Sequence, residues 1–328
     1  MKIGVIGAGA WGTALAQVAS SGGDPVTLWA LEPDVVQAIN ERHENSLYLP
    51  TVALNAGIQA TGDLADLANC DALLVVTPAQ HLRRILTNAP VATKALILCC
   101  KGIEAGTGML MSEAAQATCP EASVAVLSGP TFAHEVGRGL PTAVTLSCGD
   151  KALGEQIAAR MKRPSFRPYL SDDVIGAEIG GAVKNVLAIG CGVAEGAGLG
   201  LNARAALISR GFAEMTRFGL ARGARAETLA GLSGLGDLVL TCSSTDSRNF
   251  SFGKALGEGK PASELLANRR TVAEGAFTAP VLRDVARSAG VDMPIVEAVC
   301  ALLEGSQPVG HVVEALLARP IRSESSER

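Results

Sequence analysis

A few short segments of this chain contain residue types that can do chemistry together. Gly7-Ala8-Gly9-Ala10-Trp11-Gly12 fits the pattern G-x-G-x-x-G. Lys184 stands in an unusually small and apolar setting, with Gly180-Gly181-Ala182-Val183 before it and Val186-Leu187 after. Asp237 follows Gly234-Leu235-Gly236, and Arg248-Asn249 ends the polar run Thr245-Asp246-Ser247-Arg248-Asn249.

The glycine pattern is weak alone, but here it directly follows the apolar run Ile3–Ile6 and opens a helical pattern. In that setting Gly7 permits a tight turn and Gly9 lets backbone approach a diphosphate. Gly12 lets the helix pack on the strand, and the helix start offers free N–H groups and partial positive charge. The plainer reading is a turn that needs positive φ angles. About 20 residues on, where such folds place a ribose-binding acid, the sequence reads Trp29-Ala30-Leu31-Glu32. Glu32 would accept from a ribose 2′-hydroxyl and repel a 2′-phosphate, which favours NAD over NADP; it could equally be a solvated carboxylate at a helix start.

The remaining residues also have two readings each. Most lysines are surface groups, yet a lysine in so apolar a helix as that around Lys184 faces a partner or a ligand. Asp237 is either beside a loop that brings backbone close to a ligand or a helix cap. Arg248 offers a fork that pairs with phosphate, with Asn249 and Ser247 adding hydrogen bonds, unless the segment is a turn closed by Asp246 and Asn249. His43, His81, His134 and His311 are scattered without metal-ligand spacing, so no metal is expected. No Ser-His-Asp arrangement points to hydrolysis.

The elements that must hold these groups follow from hydrophobic period. Strands are expected at Ile3–Ile6, Val26–Trp29, Ala72–Val76, Ala95–Cys99 and Val124–Leu127, with weaker candidates at Ala143–Leu146 and Phe166–Tyr169. Between them lie helical patterns, including Ala10–Ser20 and 34–40, the latter opened by Pro33. Strands alternating with helices imply crossover units and a parallel, doubly wound α/β sheet. Beyond Ser171 the texture changes to helices at Ile175–Ala194, Ala203–Phe218, Ala226–Leu232, Ala262–Leu266, Ala279–Ser288 and Met293–Leu303. The expected organisation is a Rossmann-type domain over 1–175, an all-α domain over 176–320 and a disordered tail over 321–328.

Composition agrees with that architecture. Hydrophobic residues make up 48% of the 328 and aromatics only 3%, so the cores must be built from Ala, Val, Leu and Ile. The net charge of −4 gives no basic footprint for nucleic acid. The eight cysteines sit in apolar runs without metal spacing and read as reduced, buried thiols. The start Met1-Lys2-Ile3-Gly4-Val5-Ile6-Gly7 reads as a strand rather than a secretory signal. No apolar run approaches the ~18 residues a membrane span needs. The chain is expected to be cytoplasmic, and a helical second domain admits a homodimer.

Further motifs appear in a fixed order. They are Cys100-Lys101-Gly102-Ile103-Glu104, Ser128-Gly129-Pro130-Thr131-Phe132-Ala133, Glu178-Ile179-Gly180-Gly181-Ala182-Val183-Lys184-Asn185, Gly231-Leu232-Ser233-Gly234-Leu235-Gly236-Asp237-Leu238, and Thr241-Cys242-Ser243-Ser244 running on to Ser247-Arg248-Asn249. With the glycine motif they make the chain, from residue 2 to about 315, resemble the bacterial NAD(P)-dependent glycerol-3-phosphate dehydrogenases. The resemblance implies an active site between the two domains and reversible reduction of dihydroxyacetone phosphate to sn-glycerol 3-phosphate for glycerophospholipid synthesis. It implies that Lys184 is the proton donor and acceptor, that Lys101 helps bind substrate and cofactor, and that Asp237 orients Lys184 or a substrate hydroxyl. Gly129, Thr131, Asp237, Ser247, Arg248 and Asn249 match substrate contacts. Ala10, Trp11, Lys101, Ala133, Arg248, Val272 and Glu274 match positions that touch the dinucleotide. One departure bears on the cofactor: many members have arginine after the Trp-Ala pair, where this chain has Leu31-Glu32. The rival readings are a dehydrogenase of similar architecture acting on another small hydroxy or keto acid, and a non-catalytic dinucleotide sensor.

Overall fold

The computed structural model describes residues 1–91, 94–267 and 273–318. The expected tail over 321–328 lies outside them.

The first half forms a sheet of eight strands in the order β10-β9-β8-β7-β6-β1-β2-β5. These are β1 (Ile3–Ile6), β2 (Val26–Trp29), β5 (Ile58–Thr61), β6 (Ala72–Val75), β7 (Ala95–Leu98), β8 (Ser123–Ser128), β9 (Thr142–Cys148) and β10 (Phe166–Ser171). A separate hairpin is made by β3 (Glu44–Asn45) and β4 (Leu49–Ala53). β1, β6 and β7 are buried along their whole length, which is why their sequences are unbroken apolar runs rather than alternating ones.

α1 (Ala10–Ser20), α2 (Pro33–Arg42), α5 (Ala133–Gly137) and α6 (Lys151–Met161) belong to one core with the sheet. α3 (Leu82–Asn88) and α4 (Met111–Thr118) belong to a second, on the other face. Each core buries branched aliphatic side chains, each worth about 1.5–3 kcal/mol when fully removed from water. The chain runs outward through β1, β2 and β5, then crosses back to β6 and continues through β7 and β8. The reversal lies between β1 and β6, the place where open α/β sheets leave a crevice for a ligand.

The expectation of a wholly parallel sheet needs one correction. β8 and β9 pair antiparallel, and β10 follows β9 in parallel. Residue alternation within a strand does not reveal the direction of its neighbour, so the two weaker candidates were correctly strands of unread orientation. β5 and the short β3–β4 hairpin were not anticipated.

Among the described residues everything after β10 is helical or loop: α7 (Val174–Gly196), α8 (Gly200–Ala221), α9 (Ala226–Leu229), a π-turn at Leu232–Gly236, α10 (Asp237–Thr241), α11 (Arg248–Gly257), α12 (Ala262–Ala267), α13 (Glu274–Ser288), α14 (Pro294–Leu303) and α15 (Val309–Leu317). α7 is largely apolar and buried on nearly every side, and it forms the centre of a third core, as such helices must. Asp173 caps its start by accepting from the Gly176 N–H at 2.9 Å, and its other oxygen accepts from the Arg225 N–H at 2.8 Å. A cap of this kind is worth about 1 kcal/mol.

α7 also corrects an expectation. Its 23 residues are long and apolar enough to cross a membrane by length and composition, but 83% of its most apolar stretch is buried within the protein. Its burial is achieved partly through glycine. Cβ atoms at Gly192 and Gly196 would fall 2.1 Å from the carbonyl oxygens of Phe250 and Lys254. Cβ atoms at Gly253 and Gly257 would fall 2.0 and 2.3 Å from those of Ile189 and Val193. α7 and α11 therefore touch main chain to main chain.

Candidate active site between the sheet and the helices

The glycine loop leaves β1 at its carboxyl end and enters α1. Gly7 has φ +111°, and a Cβ there would lie 2.7 Å from the Val76 carbonyl oxygen. A Cβ at Gly12 would lie 1.8 Å from the Gly7 carbonyl oxygen. These two glycines close the turn and seat the helix. Gly9 differs, because a Cβ there would meet nothing within 4 Å. It opens onto clear space at the start of α1, the cradle a diphosphate requires. Ala10 and Trp11 begin that helix, and the Trp11 indole N–H is buried without a hydrogen-bond partner. The loop therefore fits a dinucleotide.

Glu32 precedes α2, yet its side chain caps none of that helix's N–H groups. Instead its Oε1 accepts from the Tyr48 hydroxyl at 2.8 Å. Leu31 beside it is 71% exposed.

The second cluster joins sheet and helices. Lys101, in the loop after β7, donates from Nζ to Asp237 Oδ2 at 2.6 Å. Lys184, on α7, donates from Nζ to Asp237 Oδ1 at 2.6 Å and to Thr241 Oγ1 at 2.9 Å. The Thr241 hydroxyl lies 3.2 Å from the same Asp237 oxygen. The Lys101 ammonium also lies 3.4 Å from the carbonyl oxygen of Gly129. The Asp237 side chain is 0% exposed, and the Lys184 and Lys101 side chains 7% and 15%. Two cations thus share one carboxylate, leaving the cluster with a net positive charge.

Local sequence explains the placement. Gly180 lets the π-turn press on α7, since a Cβ there would lie 2.3 Å from the Ser233 carbonyl oxygen. That contact sets Asp237, the first residue of α10, opposite Lys184. The helix-cap alternative for Asp237 does not hold: Gly236 occupies the cap position and both Asp237 oxygens face lysines. Gly181 lets the Lys101 stem cross α7, with a notional Cβ only 3.2 Å from Lys101 Cγ.

Burial pushes the Lys184 ammonium down to a pKa of about 8; Lys101 acts in the same direction and Asp237 opposes it. Lys184 is therefore not an exposed helix lysine. Glu274 begins α13 and is close enough to feel Arg248, Lys101 and Lys184, while burial raises its pKa above the usual carboxylate range. These four groups are electrostatic neighbours.

Thr131 and Gly129 lie beyond the end of β8; Thr131 Oγ1 is 3.3 Å from the Gly129 carbonyl oxygen. Ala133 begins the short α5. Ser247 accepts from the Phe250 N–H at 3.2 Å and so caps α11, which places Arg248 and Asn249 in its first turn. A turn at Thr245–Asp246 thus leads straight into a helix start, and Asn249 does not close that turn. Arg248 is exposed. Asn249 is largely committed to structure: its amide nitrogen donates to Asn185 Oδ1 at 3.0 Å and its oxygen accepts from the Gly275 N–H at 2.9 Å. Val272 lies outside the described residues. Sequence reasoning gave no role to Thr241, Asn185 or Tyr48. Thr241 was the most findable, four residues after Asp237 in a helical stretch and hence on the same face.

A glycine-loop α/β sheet, a helical unit closing over it and a buried lysine–aspartate cluster between them define a two-part dinucleotide-dependent dehydrogenase. Comparison with known proteins narrows the class. The N-terminal model of NAD-dependent glycerol-3-phosphate dehydrogenase matches residues 2–154, and its C-terminal model matches residues 173–314. The chain belongs to the NAD-dependent glycerol-3-phosphate dehydrogenase family. It is 64% identical to glycerol-3-phosphate dehydrogenase [NAD(P)+] of Novosphingobium aromaticivorans over 99% of this chain and 98% of that one. It is 61% identical to that of Erythrobacter litoralis over 98% of each. The crystal structure of glycerol-3-phosphate dehydrogenase from Coxiella burnetii, at 37% identity, superposes with a TM-score of 0.92 over 97% of this chain and 99% of that one.

Proposed function

We propose that this chain catalyses the reversible NAD(P)H-dependent reduction of dihydroxyacetone phosphate to sn-glycerol 3-phosphate, supplying glycerophospholipid synthesis. The observation that carries the reading is the buried Lys184–Asp237–Lys101 cluster, whose Lys101 leaves the sheet at the same carboxyl end as the glycine loop. In this reading 1–175 binds the dinucleotide, and 176–320 brings Lys184, Asp237 and Arg248 to the substrate.

The bound nicotinamide supplies or accepts the hydride. The protein handles the proton and the charge. Asp237 and Thr241 occupy two of the three directions around the Lys184 nitrogen, which leaves one N–H for the substrate oxygen. As the ketone carbon gains hydride, negative charge grows on that oxygen. Lys184 stabilises it and then transfers the proton, giving the secondary alcohol and a neutral amine. A pKa of about 8 lets the same group work in both directions near neutral pH. Lys101 neutralises the second Asp237 oxygen, so Asp237 orients Lys184 without over-stabilising its charged form. Arg248, at the start of α11, receives the phosphate together with that helix's N-terminal N–H groups. Thr131, Ser247 and Asn249 add polar contacts, and Ala133 and Glu274 border the dinucleotide.

Leu31-Glu32 supports a preference for NAD over NADP. Eight free cysteines support a reducing, cytoplasmic location. The homodimer admitted by a helical second domain belongs to the same proposal and is decided by sedimentation. The test of function is loss of absorbance at 340 nm with dihydroxyacetone phosphate, run in parallel with NADH and NADPH. Oxidation that depends on the phosphorylated ketone is the expected result. Folded protein that binds NADH but turns over nothing would make it a sensor.

A further inference from the structure

The β3–β4 hairpin ties together two places that the dinucleotide reading uses separately. Asn45 donates from Nδ2 to the Ala8 carbonyl oxygen at 2.8 Å, inside the glycine loop, and lies 2.8 Å from the Thr13 hydroxyl on α1. The Asn45 Oδ1 accepts from the Tyr48 N–H at 3.2 Å. Tyr48 then donates its hydroxyl to Glu32 Oε1 at 2.8 Å. One short chain of hydrogen bonds therefore runs from the glycine loop to the acid at the end of β2.

The hairpin is held firmly enough to act as a template. Leu49 and Val52 are buried in the first sheet core, and Tyr48 packs against it. Among the described residues the only non-glycine positions with positive φ are His43, at +52°, and Thr51, at +67°. Both flank the turn that carries Tyr48. A branched residue such as Thr51 adopts that conformation only when its surroundings impose it.

We propose that Tyr48 is a positioning residue that aims Glu32 at the ribose 2′-hydroxyl of the dinucleotide, so that the hairpin sets the preference for NADH over NADPH. This rests on the reading of Glu32 as the ribose acceptor. Carboxylate oxygens offer about four acceptor sites, and Tyr48 takes one, on Oε1. That bond fixes the side-chain torsions of Glu32 and leaves Oε2 to the ribose. Burial first, and then the carboxylate beside it, hold the Tyr48 phenol above its ordinary pKa, so the hydroxyl remains a donor through the working pH range. A carboxylate held in this way would repel a 2′-phosphate.

The test compares wild type, Tyr48→Phe, Glu32→Gln and the double variant. KM and kcat are measured for NADH and for NADPH at saturating dihydroxyacetone phosphate, and melting temperature is followed alongside. Tyr48→Phe keeps the ring and its packing. It should raise KM for NADH roughly three- to tenfold, the scale of one lost hydrogen bond, with the loss in KM rather than kcat and with NADPH affected less. The double variant should have no lower an NADH/NADPH ratio than Glu32→Gln alone, because Tyr48 acts through Glu32. Equal losses with both cofactors in Tyr48→Phe would reduce Tyr48 to a packing residue and overturn the proposal. An unchanged ratio in Tyr48→Phe, with a lowered one in Glu32→Gln, would overturn it while leaving the ribose reading intact. An unchanged ratio in Glu32→Gln would remove the ribose reading itself.

Discussion

The two halves of the site are built by opposite means. At the glycine loop the main chain does the work within six consecutive residues, and side chains matter chiefly by being absent. At the lysine–aspartate cluster, side chains do the work, and Lys101 and Asp237 meet across 136 positions of sequence. The first half is specified locally and can be tested by adding atoms. The second depends on the sheet and the helices being docked correctly, and is tested by removing them.

The largest expected effect is in the cluster. Lys184→Ala should lower kcat by about 10²–10⁴-fold, the span of one general acid–base, while NADH binding followed by fluorescence stays near wild type. If turnover survives, the cluster is structural and the comparison fails. The pH dependence sharpens the same point. In the proposed mechanism Lys184 must be protonated to reduce the ketone and neutral to oxidise the alcohol. With a pKa of about 8, the reduction rate should fall as pH rises through that value, and oxidation should rise.

Next in size is Arg248→Ala. A lost charged hydrogen-bond pair is worth about 1.5–3 kcal/mol, so KM for dihydroxyacetone phosphate should rise roughly 10- to 150-fold. Dihydroxyacetone, which lacks the phosphate, should be used no worse by the variant than by wild type. Equal losses for both substrates would remove Arg248 from the phosphate site.

The glycines give a smaller and more discriminating test. Gly9→Ala meets no protein atom within 4 Å, so melting temperature should hold while Kd for NADH rises about tenfold, at the ~1–3 kcal/mol scale of overpacking. Gly12→Ala collides with the Gly7 carbonyl oxygen and should lower stability as well. If both variants behave alike, the distinction between ligand-facing and packing glycines is wrong.

The smallest effect is on stability. Glu214, on α8, accepts from the Ile295 N–H at 2.7 Å and the Val296 N–H at 3.3 Å, and burial raises its pKa to about 8. The folded state then holds a proton that the unfolded state releases above about 4.5. The stabilisation is complete below that value and is lost as pH rises through about 8. Glu214→Gln should flatten the fall in melting temperature between pH 5 and 8.5 by a few degrees; an unchanged slope would assign the fall elsewhere.

Most of the fold was legible where period and burial agree. β1, β6 and β7 are short apolar runs in the sequence and buried strands in the structure, and the change of texture after Ser171 marks the last strand. α11 was not legible. Its polar start reads as a turn, and Gly253 and Gly257 lower helix propensity. They are there because the helix lies against α7, a fact no local pattern contains. The hairpin escaped for a related reason: its β3 strand has two residues and no period to detect. Asp237 was legible as a residue of interest but not as the shared partner of two lysines, because that depends on how loop and helix meet. Tyr48 could not be connected to Glu32 until the hairpin was seen.

The glycine contact between α7 and α11 has a consequence for how the enzyme tolerates change. Where peptide planes rest on one another, the gap between two helices is fixed by the thickness of the backbone, and no rotamer can widen or narrow it. Lys184 rides on one of these helices and Arg248 on the other. Substitutions elsewhere in the surrounding core can alter how well it is filled without altering the span between Lys184 and Arg248. A single methyl at Gly192 or Gly253 would reset that span, so the tolerance of the Lys184–Arg248 geometry to sequence drift is concentrated in the four glycines Gly192, Gly196, Gly253 and Gly257.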